Sequence, residues 1–151
     1  MNCDLHMTVA ALAERDGQFL MVEEQIDGAL MLNQPAGHLE PGESLIEAVV
    51  RETLEETAWR FRPEALLGVY HADQPDGTWL RFAFVGSVHD FQADRALDEG
   101  IVAAPFLPLA EIRQRRAAHR SPFVEACLDD FLGGRRLPLD ALRYFNVGRA
   151  D

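Results

Sequence analysis

At 151 residues, 48% hydrophobic and 26% charged, the chain is the size of one domain with one core, which excludes a disordered or low-complexity protein. A net charge of -11 argues against a nucleic-acid or anionic-membrane surface, which needs a basic patch, and means that an anionic substrate requires a bound cation to attract it. Two cysteines, Cys3 and Cys127, form no metal-ligand spacing or disulfide framework, so a reducing cytoplasm is expected; no basic-then-apolar leader or membrane-length apolar run is present.

Residues 7–13 (MTVAALA) form an apolar run, expected as a buried strand. Asp16-Gly17 signals a tight hairpin, with 19–24 returning as the second strand and 30–33 as a short third. Residues 34–43 (QPAGHLEPGE) hold two prolines and two glycines and read as a loop. Residues 44–57 read as a helix, because Ser44 is a good N-cap and Glu47 completes a capping box. Strands are expected over 66–72 and 80–88, flanking the turn Gln74-Pro75-Asp76-Gly77. On the second, Arg81 shares a face with Ala83 and Val85, opposite Leu80, Phe82 and Phe84. Polar residues 91–100 read as a loop and 104–107 as a last strand. Residues 109–116 and 121–132 read as helices, the second with Ser121 as N-cap, Pro122 at the first helical position and Gly133-Gly134 as its stop. Together these predict a single α/β or α+β domain over residues 1–151, with a mixed sheet.

The helix at 44–57 carries an unusual charge run, RETLEET at 51–57. At about 100° per residue, Glu52, Glu55 and Glu56 share one arc with Arg51 beside it, while Ile46, Val50, Thr53 and Thr57 lie opposite. Crowded like charges on a helix cost a few tenths of a kcal/mol per pair. Two explanations are open: a solvated acidic face, helped by Glu47 to Arg51 at i,i+4, or a ligand set for a hard divalent cation. Mg²⁺ prefers oxygen ligands and commonly bridges to substrate phosphates. Arg51 can brace a carboxylate through its fork, and Glu43 is the natural partner.

Residues 37–59, GHLEPGESLIEAVVRETLEETAW, resemble the Nudix box, with Gly37, Glu43, Arg51, Glu52, Glu55 and Glu56 at the family spacing. Six such matches arise by chance on the order of once in a hundred thousand chains of this length. Thr53, Ala58 and Trp59 depart from the family pattern, all at positions that concern packing and helix ending. The resemblance implies the Nudix fold, a mixed sheet sandwiched between helices. It implies Mg²⁺- or Mn²⁺-dependent hydrolysis of a small-molecule diphosphate linked to another moiety. Carried over, Glu52, Glu55 and Glu56 are metal ligands, with the Gly37 carbonyl a further one; Glu52 is alternatively the general base. Arg51 and Glu43 are the orienting pair. Residues 22–40, 80–84, 120–126 and 135–146 are similar to the NudJ subgroup of phosphatases. That similarity implies action on nucleoside di- and triphosphates, thiamine diphosphate and its hydroxymethylpyrimidine diphosphate precursor, with release of orthophosphate.

Two other readings stand beside this one: a nucleotide-sugar or dinucleotide pyrophosphatase releasing nucleoside monophosphate, and a non-catalytic Nudix-fold ligand sensor. Around the box, Gln34 is a candidate for the edge of a base or pyrimidine, and His38, with Asn33, borders the box as a loop-ordering or substrate-contacting residue. Arg81 either faces the cleft or faces solvent. Asp98 and Glu99 lie in a polar loop, and Glu99 is a candidate loop base or extra ligand. Tyr144, Phe145 and Asn146 either pack on the core or cover a substrate ring. Arg113, Arg115, Arg116 and Arg120 are expected on a solvated face. The oligomeric state, monomer or homodimer, is open.

Overall fold

The computed structural model describes residues 4–148; Cys3 lies outside them. The order is β1 (Leu5–Arg15), β2 (Gln18–Leu20), β3 (Val22–Ile26), β4 (Ala29–Asn33), β5 (Ala36–His38), α1 (Leu45–Thr57), β6 (Arg60–Gln74), β7 (Gly77–His89), β8 (Ile101–Ala103), β9 (Phe106–Pro108), α2 (Leu109–Gln114) and α3 (Phe123–Leu132). One sheet runs β6-β7-β1-β2-β9, with β5 also on β1, and a second runs β4-β3-β8. The first is mixed, since β1 pairs parallel with β7 and antiparallel with β2 and β5.

Strand alternation divides the core into two layers. Val9, Ala11 and Ala13 of β1 join Phe84 and Val88 of β7 against Ala48 and Val49 of α1. Ala10 and Leu12 join Ala83 and Val85 on the other face, against Ile112 of α2 and Val124, Cys127 and Leu128 of α3. The helices therefore cover opposite faces of the sheet, as the α/β sandwich expectation requires.

Asp16-Gly17 makes the expected hairpin, with φ of 52° and 79° and Arg15 opposite Gln18. Two expectations are corrected. The strand foreseen over 19–24 breaks at Met21, so that β2 and β3 enter different sheets. Part of the 34–43 loop is strand β5, because Ala36, Gly37 and His38 pair with Ala10, Val9 and Thr8. Strand β8 was not foreseen. Its residues pair with Glu23 and Glu24 of β3, a partnership about eighty positions away that no local pattern encodes.

Helix α1 begins as expected: Ser44 Oγ accepts from Glu47 N–H at 3.0 Å, and the Glu47 carboxylate receives Ser44 N–H. It ends at Ala58 in the left-handed region, φ 64°, with the Ala58 N–H on the Leu54 carbonyl. The buried Thr53 hydroxyl donates to Val49 O at 2.7 Å, which satisfies it within the helix. Trp59 packs on Phe91 at 4.8 Å and receives the Arg15 guanidinium on its ring face at 4.7 Å. The three departures from the box pattern are thus accommodated at the packed face and end of α1. Helix α3 starts one residue later than foreseen, at Phe123 after Pro122, with Ser121 Oγ accepting the Phe123 N–H.

Candidate active site

A cavity of about 350 Å³ opens between the β5–α1 segment and the start of α3. Its lining holds two sets of residues that differ in charge. Glu24, Glu40, Glu52 and Glu56, with Ala36 and Gly37, make an acidic part. Asn33, Trp79, Arg81, Arg120, Ser121 and Phe123 carry no acid.

At the acidic part, α1 presents Glu52 and Glu55 one turn apart. The Asp98 N–H donates to the Glu55 carbonyl at 3.0 Å, which ties the 90–100 loop to α1. Ligand oxygens of Glu52, Glu55 and Asp98 consequently lie within 4.8 Å of one another. This all-oxygen set fits a hard divalent cation. Gly37 adds a close approach, for a Cβ there would overlap the Glu52 carboxylate. The loop acid in this cluster is Asp98; Glu99, exposed like Asp98, is outside it. The backbone bond to Glu55 fixes Asp98 and not Glu99 beside α1, and no local sequence pattern separates the two acids.

Arg51 joins these groups. Its Nε and Nη2 hold both Glu43 oxygens at 2.9 and 2.7 Å, and its Nη1 reaches Glu52 at 2.9 Å and Glu55 at 3.1 Å. Nη2 also donates to the His38 carbonyl at 3.1 Å. The foreseen Arg51–Glu43 pair is therefore present, and the same guanidinium also relieves the repulsion between Glu52 and Glu55. Hydrogen bonding to Arg51 holds the Glu43 carboxyl below the usual range. Burial raises Glu52 despite Arg51.

Glu56 differs from its neighbours. It is 8% exposed and accepts the Ala36 N–H at 2.8 Å, and Arg51 does not reach it. Burial pushes its carboxyl up to about 8, with Glu52 among the like charges that add to the shift. It lines the cavity without belonging to the Glu52–Glu55–Asp98 cluster.

In the acid-free part, Arg81 is buried, not solvent-facing. It lies on the α3 face of β7 that Ala83 and Val85 mark, so the alternation placed it correctly. Gln34 does not line the cavity. Its Oε1 accepts from Arg81 Nη1 at 2.8 Å and its Nε2 donates to Val124 O at 3.0 Å. The amide foreseen as a reader of the substrate thus has both ends committed inside the protein. His38 does line the cavity, within 3.2 Å of His6 Nδ1, and His6 stacks on Trp79 at 4.0 Å. Trp79 and Phe123 are the wall residues that sequence reading passed over. Both are aromatic, yet nothing local separates a wall ring from a core ring.

Tyr144 and Phe145 are exposed and do not line the cavity, contrary to both roles foreseen for them. Asn146 donates to the Tyr144 hydroxyl at 3.2 Å. The tail is instead anchored by Leu137, paired with Leu66, and by Leu139 and Leu142 on the core. Arg113 and Arg116 pair with Glu125, and Arg115 with Glu23. Arg120 instead lies on the cavity rim.

Fold, box helix and braced carboxylates define a Nudix hydrolase. The NUDIX domain family model matches residues 4–127, and the chain belongs to that family. It is 37% identical to Phosphatase NudJ of Escherichia coli strain K12 over 142 residues, 93% of this chain and 92% of the relative. A solved NUDIX hydrolase from Nitrosomonas europaea is 50% identical, covers 94% of this chain and 98% of its own, and superposes with a TM-score of 0.91. The MutT protein of Methanosarcina mazei Go1 shares the fold at 21% identity and a TM-score of 0.72, covering 90% of this chain and 99% of its own. The chain is accordingly a NudJ-like hydrolase of small-molecule diphosphates. Among the described residues, no helix is long and apolar enough to cross a membrane.

Proposed function

We propose that this protein is a cytoplasmic, Mg²⁺-dependent phosphatase of nucleoside di- and triphosphates, thiamine diphosphate and its hydroxymethylpyrimidine diphosphate precursor, releasing orthophosphate. Mn²⁺ would substitute in the same oxygen set. The observation that carries this reading is the convergence of Glu52, Glu55 and Asp98 oxygens within 4.8 Å, with Glu52 also lining a cavity of about 350 Å³. Similarity to Phosphatase NudJ supports orthophosphate as the product.

Glu52 and Glu55 would hold the cation, with Asp98 as the loop ligand and the Gly37 carbonyl beside Glu52. A cation there supplies neutralisation of phosphate charge and a lowered pKa for a bound water. Arg51 and Glu43 keep Glu52 and Glu55 oriented. Glu56, buried at the cavity wall, would be the third helix carboxylate on the cation. His38 and Arg81 would contact the substrate, and Gln34 acts through Arg81.

The test is a panel of nucleoside triphosphates, diphosphates, thiamine diphosphate and nucleotide sugars, assayed for orthophosphate with Mg²⁺ and with EDTA. Orthophosphate should appear only with the metal, and Glu56→Gln should lower turnover about a hundredfold or more with the fold retained. Nucleoside monophosphate as the sole product would mark a pyrophosphatase instead. Unchanged turnover in the Glu56→Gln variant would remove Glu56 from the active site.

A further inference from the structure

The acid-free part of the cavity lining has a definite hydrogen-bonding polarity. Arginine can only donate, so its partners fix the orientation of any amide bonded to it. Arg81 Nη1 meets Gln34 Oε1 at 2.8 Å, and Nη2 meets Asn33 Oδ1 at 2.9 Å. Both amides therefore turn their oxygens to Arg81. The Gln34 Nε2 is spent on the Val124 carbonyl. The Asn33 Nδ2 has no hydrogen-bond partner among the described residues, and Asn33 lines the cavity.

Arg81 itself is nearly saturated. A guanidinium has five N–H donors. Nη1 serves Gln34 and contacts Cys127 Sγ at 3.9 Å, and Nη2 gives one proton to Asn33. Nε is buried without a partner. Two donors are thus left over: the enclosed Nε–H, and one Nη2 proton beside the free Asn33 amide. The side chain is 3% exposed, makes no salt bridge among the described residues, and lies 5.3 Å from the centre of the Phe123 ring. Nε and Nη2 make such a fork in Arg51, but the Nε of Arg81 has no accessible surface, so only the Nη2 proton is left to meet a ligand and no two-pronged phosphate clamp forms. That proton suits one acceptor atom, and the neighbouring amide N–H suits a second.

We propose that Arg81 and Asn33 form a donor-only edge that selects a heteroaromatic ring with two adjacent acceptors, the ring lying against the Phe123 and Trp79 side of the cavity. This rests on the proposed hydrolysis of organic diphosphates and specifies the organic half. Guanine offers such an edge at O6 and N7, and cytosine at O2 and N3. Adenine places an amino donor beside N7 and matches less well. Gln34 is a positioning residue: it holds Arg81 in place and contacts no substrate.

The experiment has two arms. In EDTA, calorimetry compares guanosine monophosphate with adenosine monophosphate, which reads ring selection without catalysis. With Mg²⁺, kcat/KM is compared for guanosine diphosphate, adenosine diphosphate and an alkyl diphosphate that has no ring. The guanosine ligand should be preferred at least about tenfold, the size of one charge-assisted hydrogen bond. Arg81→Met should bring that ratio close to one and should harm guanosine diphosphate about tenfold more than the alkyl diphosphate. Asn33→Asp, which exchanges the free donors for acceptors, should shift preference toward adenosine, and it tests the idea should Arg81→Met fold poorly. Equal affinity for the two bases, or an equal loss on the alkyl diphosphate, overturns the proposal; the latter would make Arg81 a phosphate clamp. Base preference in EDTA without hydrolysis of any diphosphate would support the ring edge and reject the proposed function alone.

Discussion

Arg81 lines the cavity and Arg51 is bonded to Glu52, which also lines it, yet the settings of the two arginines are inverse. Arg51 is 23% exposed and meets Glu43, Glu52 and Glu55. Arg81 is 3% exposed and meets two neutral amides, a thiol and a ring. The better-hydrated cation is ion-paired, whereas among the described residues the desolvated one makes no ion pair and feels Glu56 only at longer range. Burial of an uncompensated cation is costly, and it draws the Arg81 proton affinity down. Arg51 is therefore compensated by its neighbours, while the uncompensated burial of Arg81 supports the ligand-facing role proposed for it.

Breaking each arginine should separate these roles. The largest effect on stability is expected from Arg51→Gln, which leaves Glu43, Glu52 and Glu55 facing one another. It should cost about 2 kcal/mol in EDTA, below the value for fully buried pairs because these groups are partly solvated. Mg²⁺ should restore much of that loss, since a cation relieves the same repulsion. Thermal unfolding of both proteins in EDTA and in Mg²⁺ would show it; an equal loss in the two conditions would break the link between Arg51 and the metal. Arg81→Met, although deeper, should change stability by only about 1 kcal/mol. The orphaned Gln34 oxygen costs stability, while removal of the desolvated charge returns it.

The acid that Arg51 does not reach sharpens the comparison. Glu56 is raised from 4.5 to about 8 in the folded chain. The folded state thus binds this proton more tightly than the unfolded state. Its contribution is full below about pH 4.5 and is lost as pH rises toward 8. Metal-free stability should decline across that window, and Glu56→Gln should flatten the decline. Denaturant titrations in EDTA between those limits would measure it. The smallest effect is expected at Ala58→Gly. Relief of the left-handed backbone, about 1 kcal/mol, opposes loss of a buried methyl, about 0.8 kcal/mol. The change should stay within about 0.5 kcal/mol by denaturant unfolding.

Glu52, Glu55 and Glu56 were legible because they share one helix. Their spacing converts directly into a common face, and Ser44 with Glu47 marks where that helix starts. Asp98 was not legible as a partner, since it reaches α1 through a loop and one backbone hydrogen bond to Glu55. Gln34 was recognised as important but assigned the wrong neighbour. The polarity of an amide depends on what meets it across the fold, and Val124 and Arg81 come from α3 and β7. The 34–43 stretch shows the same limit: its prolines and glycines indicate a loop, yet Ala36–His38 complete the edge of β1.

By itself, the sequence determined the family, the mixed α/β class, the acidic face of α1 and the Arg51–Glu43 brace, because each depends on short spacings within one element or one loop. Tertiary structure alone decided the burial of Arg81, the engagement of Gln34 by it, the arrival of Asp98 at α1 and the gathering of acids and aromatic rings around one cavity. Those features come from strands and helices distant in the chain, whose packing sets which polar atoms are satisfied and which are left for a ligand.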